Sequence, residues 1–249
     1  MYFTTETSSN GVIERHFILG EITGVLWSPA TEFVDAPLLM AGHSGGMHKQ
    51  APGLVASALH SVTRHGFTVV AIDAPGHGDR PRSRQDHRWT EAIRHARAAG
   101  EPIAPIVIDY SWSLVQRAVP EWQHTLDALQ ALPDIGAGKP VGYAGMTLGV
   151  VTGLMLATAE PRIRAASFGA VFVDGAAIEA ARNVTIPVEY RIPWGHEEFD
   201  RAAGIALFDA LGSTEKSLHA RSGRLYPALD YERENAAQFF VRTLSPATS

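Results

Sequence analysis

Residues 142–149, Gly-Tyr-Ala-Gly-Met-Thr-Leu-Gly, constrain what this chain can fold into more than any other stretch. They follow Lys139-Pro140-Val141 and open an apolar run that continues through residues 150–158. Gly145-Met146-Thr147-Leu148-Gly149 has the spacing of a G-x-S-x-G turn, with threonine in the serine's position. Such a turn carries a buried strand sharply into a helix and lifts a hydroxyl above the end of a sheet, and its small flanking residues let it close. The helix N-terminus behind it supplies free N–H groups and the positive end of a dipole. The spacing also arises by chance in ordinary strand-to-helix packing, so its weight rests on the surrounding chain.

That chain alternates buried-strand and helix patterns. Residues 15–28 alternate loosely, as a leading antiparallel pair turned at Gly20-Glu21. Residues 36–41 are a short apolar run feeding Gly42-His43-Ser44-Gly45-Gly46, which reads as a strand and a glycine-rich loop. Residues 51–64 have helical spacing and end at Gly66; residues 68–72 are a second buried strand, closed by Asp73-Ala74-Pro75-Gly76-His77-Gly78-Asp79-Arg80. Residues 82–100 are polar and helical in their second half, and 82–110 read as a lid-like excursion. A long amphipathic helix is expected over 110–132, interrupted near Pro120. Beyond the Thr147 turn, strands are expected at 165–173, 186–192 and 216–220, with helices at 202–211, capped by Gly212, and at 231–244. Strands alternating with helices predict an α/β fold with a mainly parallel, doubly wound sheet, as a single domain over 1–249.

Composition narrows the function. A chain of 249 residues, 45% hydrophobic and 19% charged, is long enough for one large core. A formal net charge of −5 gives no electrostatic footprint for nucleic acid, and no apolar run is long enough for a membrane span. There are no cysteines, which excludes disulfides, thiolate catalysis and cysteine metal sites. The first ten residues are polar and lack a leader pattern, so a cytoplasmic location is expected. A small-molecule substrate is the expected partner, no cofactor is called for, and a homodimer stays open. Gly136-Ala137-Gly138-Lys139 is not a phosphate loop, because Pro133 stands where the upstream glycine is needed and no Ser or Thr follows the lysine. His196-Glu197-Glu198 is not a zinc helix, since no second histidine comes four residues later. The spacing of the eleven histidines requires no metal site, and none is expected.

The order strand–Gly-His-Ser-Gly-Gly, strand–Asp-Ala-Pro-Gly-His-Gly, strand–Gly-Met-Thr-Leu-Gly resembles the α/β-hydrolase superfamily, and more closely its bacterial esterase and dienelactone-hydrolase-like members. The resemblance continues through Ile186-Pro187-Val188, Trp194, residues 206–213 and residues 216–220. It implies an α/β-hydrolase fold, but its catalytic positions depart from the family. Thr147 holds the nucleophile's place. His196, in Trp194-Gly195-His196-Glu197, stands where an aspartate is usual, and Leu225, in Gly223-Arg224-Leu225, stands where the histidine is usual. Losing the base or nucleophile of such a triad costs up to about 10⁶ in turnover. A β-branched residue at the positive φ this turn requires is itself an outlier.

His196 is the sharpest replacement, because imidazole reaches further than a carboxylate and Leu225 vacates space; the plainer alternative is a solvated loop residue. His43, beside the glycine-rich loop, is a second catalytic candidate, with a structural role as its alternative. Ser44, Gly45, Met146, Leu148 and Leu225 are expected to bind substrate, with the loop and the Leu148 amide forming an oxyanion hole. Ser44 also brings a hydroxyl. His219 is expected to pack structurally, Asp174 to be a turn residue or displaced acid, and His77 and Asp79 to tie their loop to the turn. Glu189 and Arg191, odd inside an apolar strand, are expected to pair with neighbours. The Thr147 hydroxyl is expected to bond to His196, to a backbone group near Ser44, or to water. The sequence thus favours cofactor-free, non-hydrolytic chemistry on a carbonyl compound. An ester or thioester hydrolase using Thr147 with a relocated histidine, and a non-catalytic binding protein, are its alternatives.

Overall fold

The computed structural model describes residues 1–31, 37–223 and 228–244. The elements run β1 (Tyr2–Ser9), β2 (Val12–Leu19), β3 (Ile22–Pro29), β4 (Leu38–Gly42), α1 (Pro52–His65), β5 (Thr68–Ile72), α2 (Arg84–Ala99), α3 (Ala104–Gln130), β6 (Val141–Gly145), α4 (Leu148–Ala159), β7 (Ile163–Phe168), α5 (Gly175–Arg182), β8 (Val188–Trp194), α6 (Arg201–Ala210), β9 (Lys216–Ser222) and α7 (Asp230–Leu244). The strands form one sheet in the order β1-β2-β3-β5-β4-β6-β7-β8-β9. The pairs from β1 to β3 and from β3 to β5 are antiparallel, and every other pair is parallel.

Period-two alternation sends successive residues of each strand to opposite faces, and both faces here are covered. Val69 and Ala71 of β5 join Val25, Trp27, Leu39, Phe239 and Phe240 in one core, against α1 and α7. Val70 and Ile72 join Leu26, Leu38, Met40 and Tyr143 in the other, on the side of α3 to α6. Burial on both faces is why these strands read as unbroken apolar runs. No described helix is long and apolar enough to cross a membrane.

The expected α/β architecture is found, with local corrections. β1 has no counterpart in the sequence reading: its residues are all exposed, so no apolar alternation marks it, although Asn10-Gly11 is a hairpin signal. α2 is helical throughout, because Ser83 and Asp86 form a capping box at its start. α3 begins at Ala104 and runs unbroken through Pro120. Gln116, whose carbonyl loses its partner at Pro120, lies on the exposed side, so the break in the hydrogen-bond ladder faces solvent and not the core. α5 is an additional helix, capped by Asp174, whose Oδ1 accepts from the Ala177 amide at 2.9 Å and whose Oδ2 accepts from Trp112 Nε1 at 3.1 Å. Gly212 is not a left-handed cap, since α6 ends on an extended Leu211. It is small because a Cβ there would lie 2.3 Å from the Arg182 carbonyl oxygen.

The chain leaves β4 for β5 on one side and later returns to β6 on the other, so the C-terminal ends of β4 and β6 flank a topological switch point, where open α/β sheets place their clefts. The loop after β4 is fastened there by two buried polar contacts. His43 Nδ1 lies 2.9 Å from the Ser44 carbonyl, and His43 Nε2 accepts from the Ala74 amide at 2.9 Å. A carbonyl only accepts and an amide only donates, which fixes the neutral tautomer with its proton on Nδ1. Burial pushes His43 down to about 4. Lys49 Nζ donates to Asp73 at 2.6 Å and to Asp79 at 2.5 Å. Burial alone would raise the Asp73 carboxyl, but the Lys49 amide and ammonium, the Asp79 amide and the Thr23 hydroxyl hold it below its ordinary value.

Removing one partner of a buried ion pair leaves an uncompensated charge, at a cost of about 3–5 kcal/mol. Lys49→Met is expected to lower unfolding free energy by that amount in urea titrations. Acid acts through His43. Its folded value lies below the 6.5 of a free imidazole, so the unfolded chain takes up the proton first. The stability that neutral His43 contributes is complete above about pH 6.5 and is lost as pH falls towards 4, amounting to at most about 3 kcal/mol. His43→Leu, though less stable at neutral pH, is expected to show a shallower loss across that window when urea midpoints are compared.

Candidate active site

The turn at residues 145–149 is forced by close packing. A Cβ on Gly149 would stand 2.6 Å from the Gly42 carbonyl oxygen, and one on Gly145 would stand 2.5 Å from the Gly149 carbonyl. The buried Tyr143 hydroxyl donates to the Gly149 carbonyl at 2.8 Å, tying β6 to the first turn of α4. Between these anchors Thr147 takes φ 47° and ψ −106°, a conformation costing on the order of 1–3 kcal/mol in a non-glycine residue. The Thr147 amide donates to the Ala170 carbonyl at 2.7 Å, and its carbonyl accepts from Val150 at 3.0 Å. The strained geometry expected from the motif is present even with a β-branched residue.

The Thr147 hydroxyl accepts a hydrogen bond from the Gly45 amide at 2.9 Å, which is the backbone partner expected near Ser44. Among the described residues no imidazole takes the hydroxyl's proton. The Leu148 N–H stands beside it at the head of α4, where helical N–H groups lack intrahelical acceptors. A cavity of about 660 Å³ opens over this point. Its walls include Ser44, Gly45, Thr147 and Leu148, the apolar side chains of Ile93, Ile103, Val107, Leu114, Phe172 and Phe199, and also His77, Tyr110 and His196. Arg82, Thr90, Arg97 and the first turns of α3 contribute from the 82–110 stretch. Arg97 reaches Glu198 at 3.4 Å, an exposed pair worth little by itself.

The structure brings His196 to the same cavity as Thr147 without a hydrogen bond between them. His196 Nδ1 accepts from the Glu198 amide at 3.2 Å, so the neutral ring carries its proton on Nε2. The ring packs on Phe199, with centroids 5.1 Å apart. Both His43 nitrogens are taken by the main chain, the arrangement expected of its structural alternative. His77, assigned only a structural role from sequence, lines the cavity as well. Its Nδ1 is 3.0 Å from the Pro75 carbonyl and therefore carries the proton, leaving a lone pair on Nε2. Burial lowers the His77 pKa and favours this neutral form. Its ring stacks on Tyr110, whose hydroxyl burial and Asp86 push up to about 12. His77 stood in the Pro-Gly-His-Gly motif, but nothing in that spacing shows which way the ring faces.

Met146 turns away from this cavity. It lines a smaller apolar one of about 170 Å³, towards α1 and α7, and another of about 330 Å³ beside β8 and β9. In the latter, buried Glu189 accepts from the Ser167 hydroxyl at 3.1 Å, with Arg191 Nε at 3.6 Å and His219 Nε2 at 3.7 Å. Glu189 and Arg191 thus have the neighbours expected of them. Leu225 lies outside the described residues.

No family model matches this sequence, and no curated protein does. Solved structures match over nearly the whole chain. A cold-adapted esterase from an Arctic intertidal metagenomic library, in a complex with polyethylene glycol, is 27% identical with a TM-score of 0.76, covering 98% of this chain and 100% of that one. Est1E from Butyrivibrio proteoclasticus, with ferulic acid bound, is 13% identical at a TM-score of 0.70, over 98% of this chain and 100% of that one. Dienelactone hydrolase from Anabaena variabilis is 18% identical at 0.63, over 93% and 99%. With this strand order and the strained turn at Thr147, these full-length likenesses show that the chain has the α/β-hydrolase fold.

Proposed function

We propose that the protein is a cofactor-free enzyme acting on a small carbonyl compound, in which the Gly45 and Leu148 amides polarise the carbonyl and imidazoles move protons, with no acyl group carried on Thr147. One observation carries this reading: the Thr147 hydroxyl is an acceptor for the Gly45 amide, and among the described residues it has no base. A hydroxyl without a base is a weak nucleophile. Backbone donors are indifferent to the side chains around them, so charge developing on a substrate oxygen would still be stabilised. The substrate carbonyl would take the Gly45 N–H from Thr147.

The neutral tautomers supply the rest. His77 offers the Nε2 lone pair as base, and His196 offers Nε2–H as acid. A proton leaves the carbon next to the carbonyl for His77; the C–H electrons become a C=C bond, and the carbonyl pair moves onto the oxygen held by the two amides. The His77 imidazolium returns the proton at another atom, with the His196 Nε2–H bonded to the developing charge, to give isomerisation; a leaving group that departs with its bonding pair and takes that proton gives elimination. The apolar cavity wall suits a substrate with a hydrocarbon body.

The second reading is an esterase using Thr147, favoured by the 27% identical esterase. Short p-nitrophenyl esters separate the two. Wild type and Thr147→Ala are expected to turn over these esters equally, close to the uncatalysed rate; turnover lost in Thr147→Ala would establish the esterase instead. Solvent deuterium exchange into a panel of small ketones and keto esters, followed by NMR, is the positive test. His77→Gln is expected to slow exchange by about 10²–10⁴-fold while melting temperature is retained. A wild type that exchanges none of the panel and hydrolyses no ester would leave a binding protein.

A further inference from the structure

Outside the cavity over Thr147, α1 and α7 bring together two histidines and a glutamate from distant parts of the chain. His60 Nε2 lies 2.8 Å and His65 Nε2 3.2 Å from the same oxygen, Oε2 of Glu234. The three atoms all lie within 4.8 Å of one another. We propose that His60, His65 and Glu234 form a binding site for one divalent transition-metal ion of the zinc class, clipping α1 to α7.

The geometry is close to what such an ion needs. Zinc–ligand bonds of about 2.0–2.1 Å at a tetrahedral angle put neighbouring ligand atoms roughly 3.4 Å apart. The separations of 2.8 and 3.2 Å from Glu234 fall just short of that, and no pair of the three ligand atoms is more than 4.8 Å apart, so side-chain adjustment within the cluster suffices to seat an ion. Two nitrogens and one carboxylate oxygen favour zinc, nickel, cobalt or copper over magnesium and calcium. The remaining position opens to a cleft of about 700 Å³, shared with Arg64, Asp230 and Tyr231. Water can complete the coordination there.

The surroundings orient these ligands. Gln238 Nε2 donates to Glu234 Oε1 at 2.9 Å, holding one carboxylate oxygen and leaving the other aimed at the imidazoles. His65 is the last residue of α1, and its ring lies against Phe67 at 6.1 Å between centroids. Without metal the imidazoles donate N–H bonds to Glu234; with metal they coordinate through the same nitrogens. Arg64, on the rim of the cleft, opposes the ion, while Asp230 is engaged by Arg233. Sequence spacing gives no hint of the site. His60 and His65 are five apart on a helix, and Glu234 lies 169 residues beyond His65.

The test uses the chelator-treated full chain, titrated with zinc chloride by calorimetry and followed by thermal unfolding. One zinc ion per chain is expected, with the melting temperature rising by roughly 5–10 °C at 100 times the dissociation constant, and magnesium giving no response. His60→Ala/His65→Ala is expected to lose at least about 100-fold in affinity, and Gln238→Ala about 10-fold, through loss of ligand orientation. Should the double variant fail to fold, His65→Gln alone carries the same expectation. Undiminished affinity in these variants, or no zinc uptake by wild type at micromolar concentrations, would overturn the proposal.

Discussion

The contact between the Gly42 carbonyl and the backbone of Gly149 sets the terms for everything built above it. A Cβ at Gly149 would lie 2.6 Å from that oxygen, so α4 can rest directly on the end of β4 only because residue 149 has no side chain. With the helix that close, the chain must turn from β6 into α4 within a few residues, and Thr147 takes the positive φ. Tyr143 reinforces the arrangement from below through its bond to the Gly149 carbonyl. The hydroxyl's position, the direction of the Leu148 amide and the reach of the Gly45 amide all follow from this packing.

Buried polar groups then divide by what they face. His43 and the Lys49–Asp73 pair spend their hydrogen-bonding capacity on the main chain and on each other, which makes them fastenings of the loop after β4. His77 and His196 each use one nitrogen on the main chain and keep the other. That difference, more than closeness to Thr147, separates histidines with both nitrogens engaged from those with one left over. Burial keeps His43 and His77 neutral, because an isolated charge in a poorly hydrated site is expensive.

The two faces of the sheet carry different work. On the side of α3 to α6, the long core supports the cavity walls contributed by α2 and α3. On the other side, α1 and α7 close a smaller core around Phe239, Phe240 and Val62. The histidine–glutamate cluster sits at the solvent end of that helix pair. A crosslink there would bear on how firmly α7 is held and would leave the Thr147 cavity untouched.

Much of this was legible from residue order alone. Doubly buried strands announce themselves as apolar runs because both faces must be filled, and Gly145-Met146-Thr147-Leu148-Gly149 announces a turn because only glycine permits its close approaches. The α/β fold and the strained Thr147 were therefore determined by the sequence, whereas the choice of the Gly45 amide over His196 or water as partner of its hydroxyl was not. β1 was not, because a strand exposed on every residue carries no alternation of hydrophobicity. Nor was the continuity of α3, since whether a helix survives an interior proline depends on the packing of its other face, here through Leu114, Val115, Ala118 and Trp122. The roles of the histidines were decided only by tertiary structure. A sequence records that an imidazole is present, but whether its nitrogens meet amides, carbonyls, a cavity or a carboxylate depends on how separate segments pack, 31 residues apart for His43 and Ala74 and 169 for His65 and Glu234. His43 became a fastening, His77 a cavity wall, and His60 and His65 the partners of Glu234 for that reason.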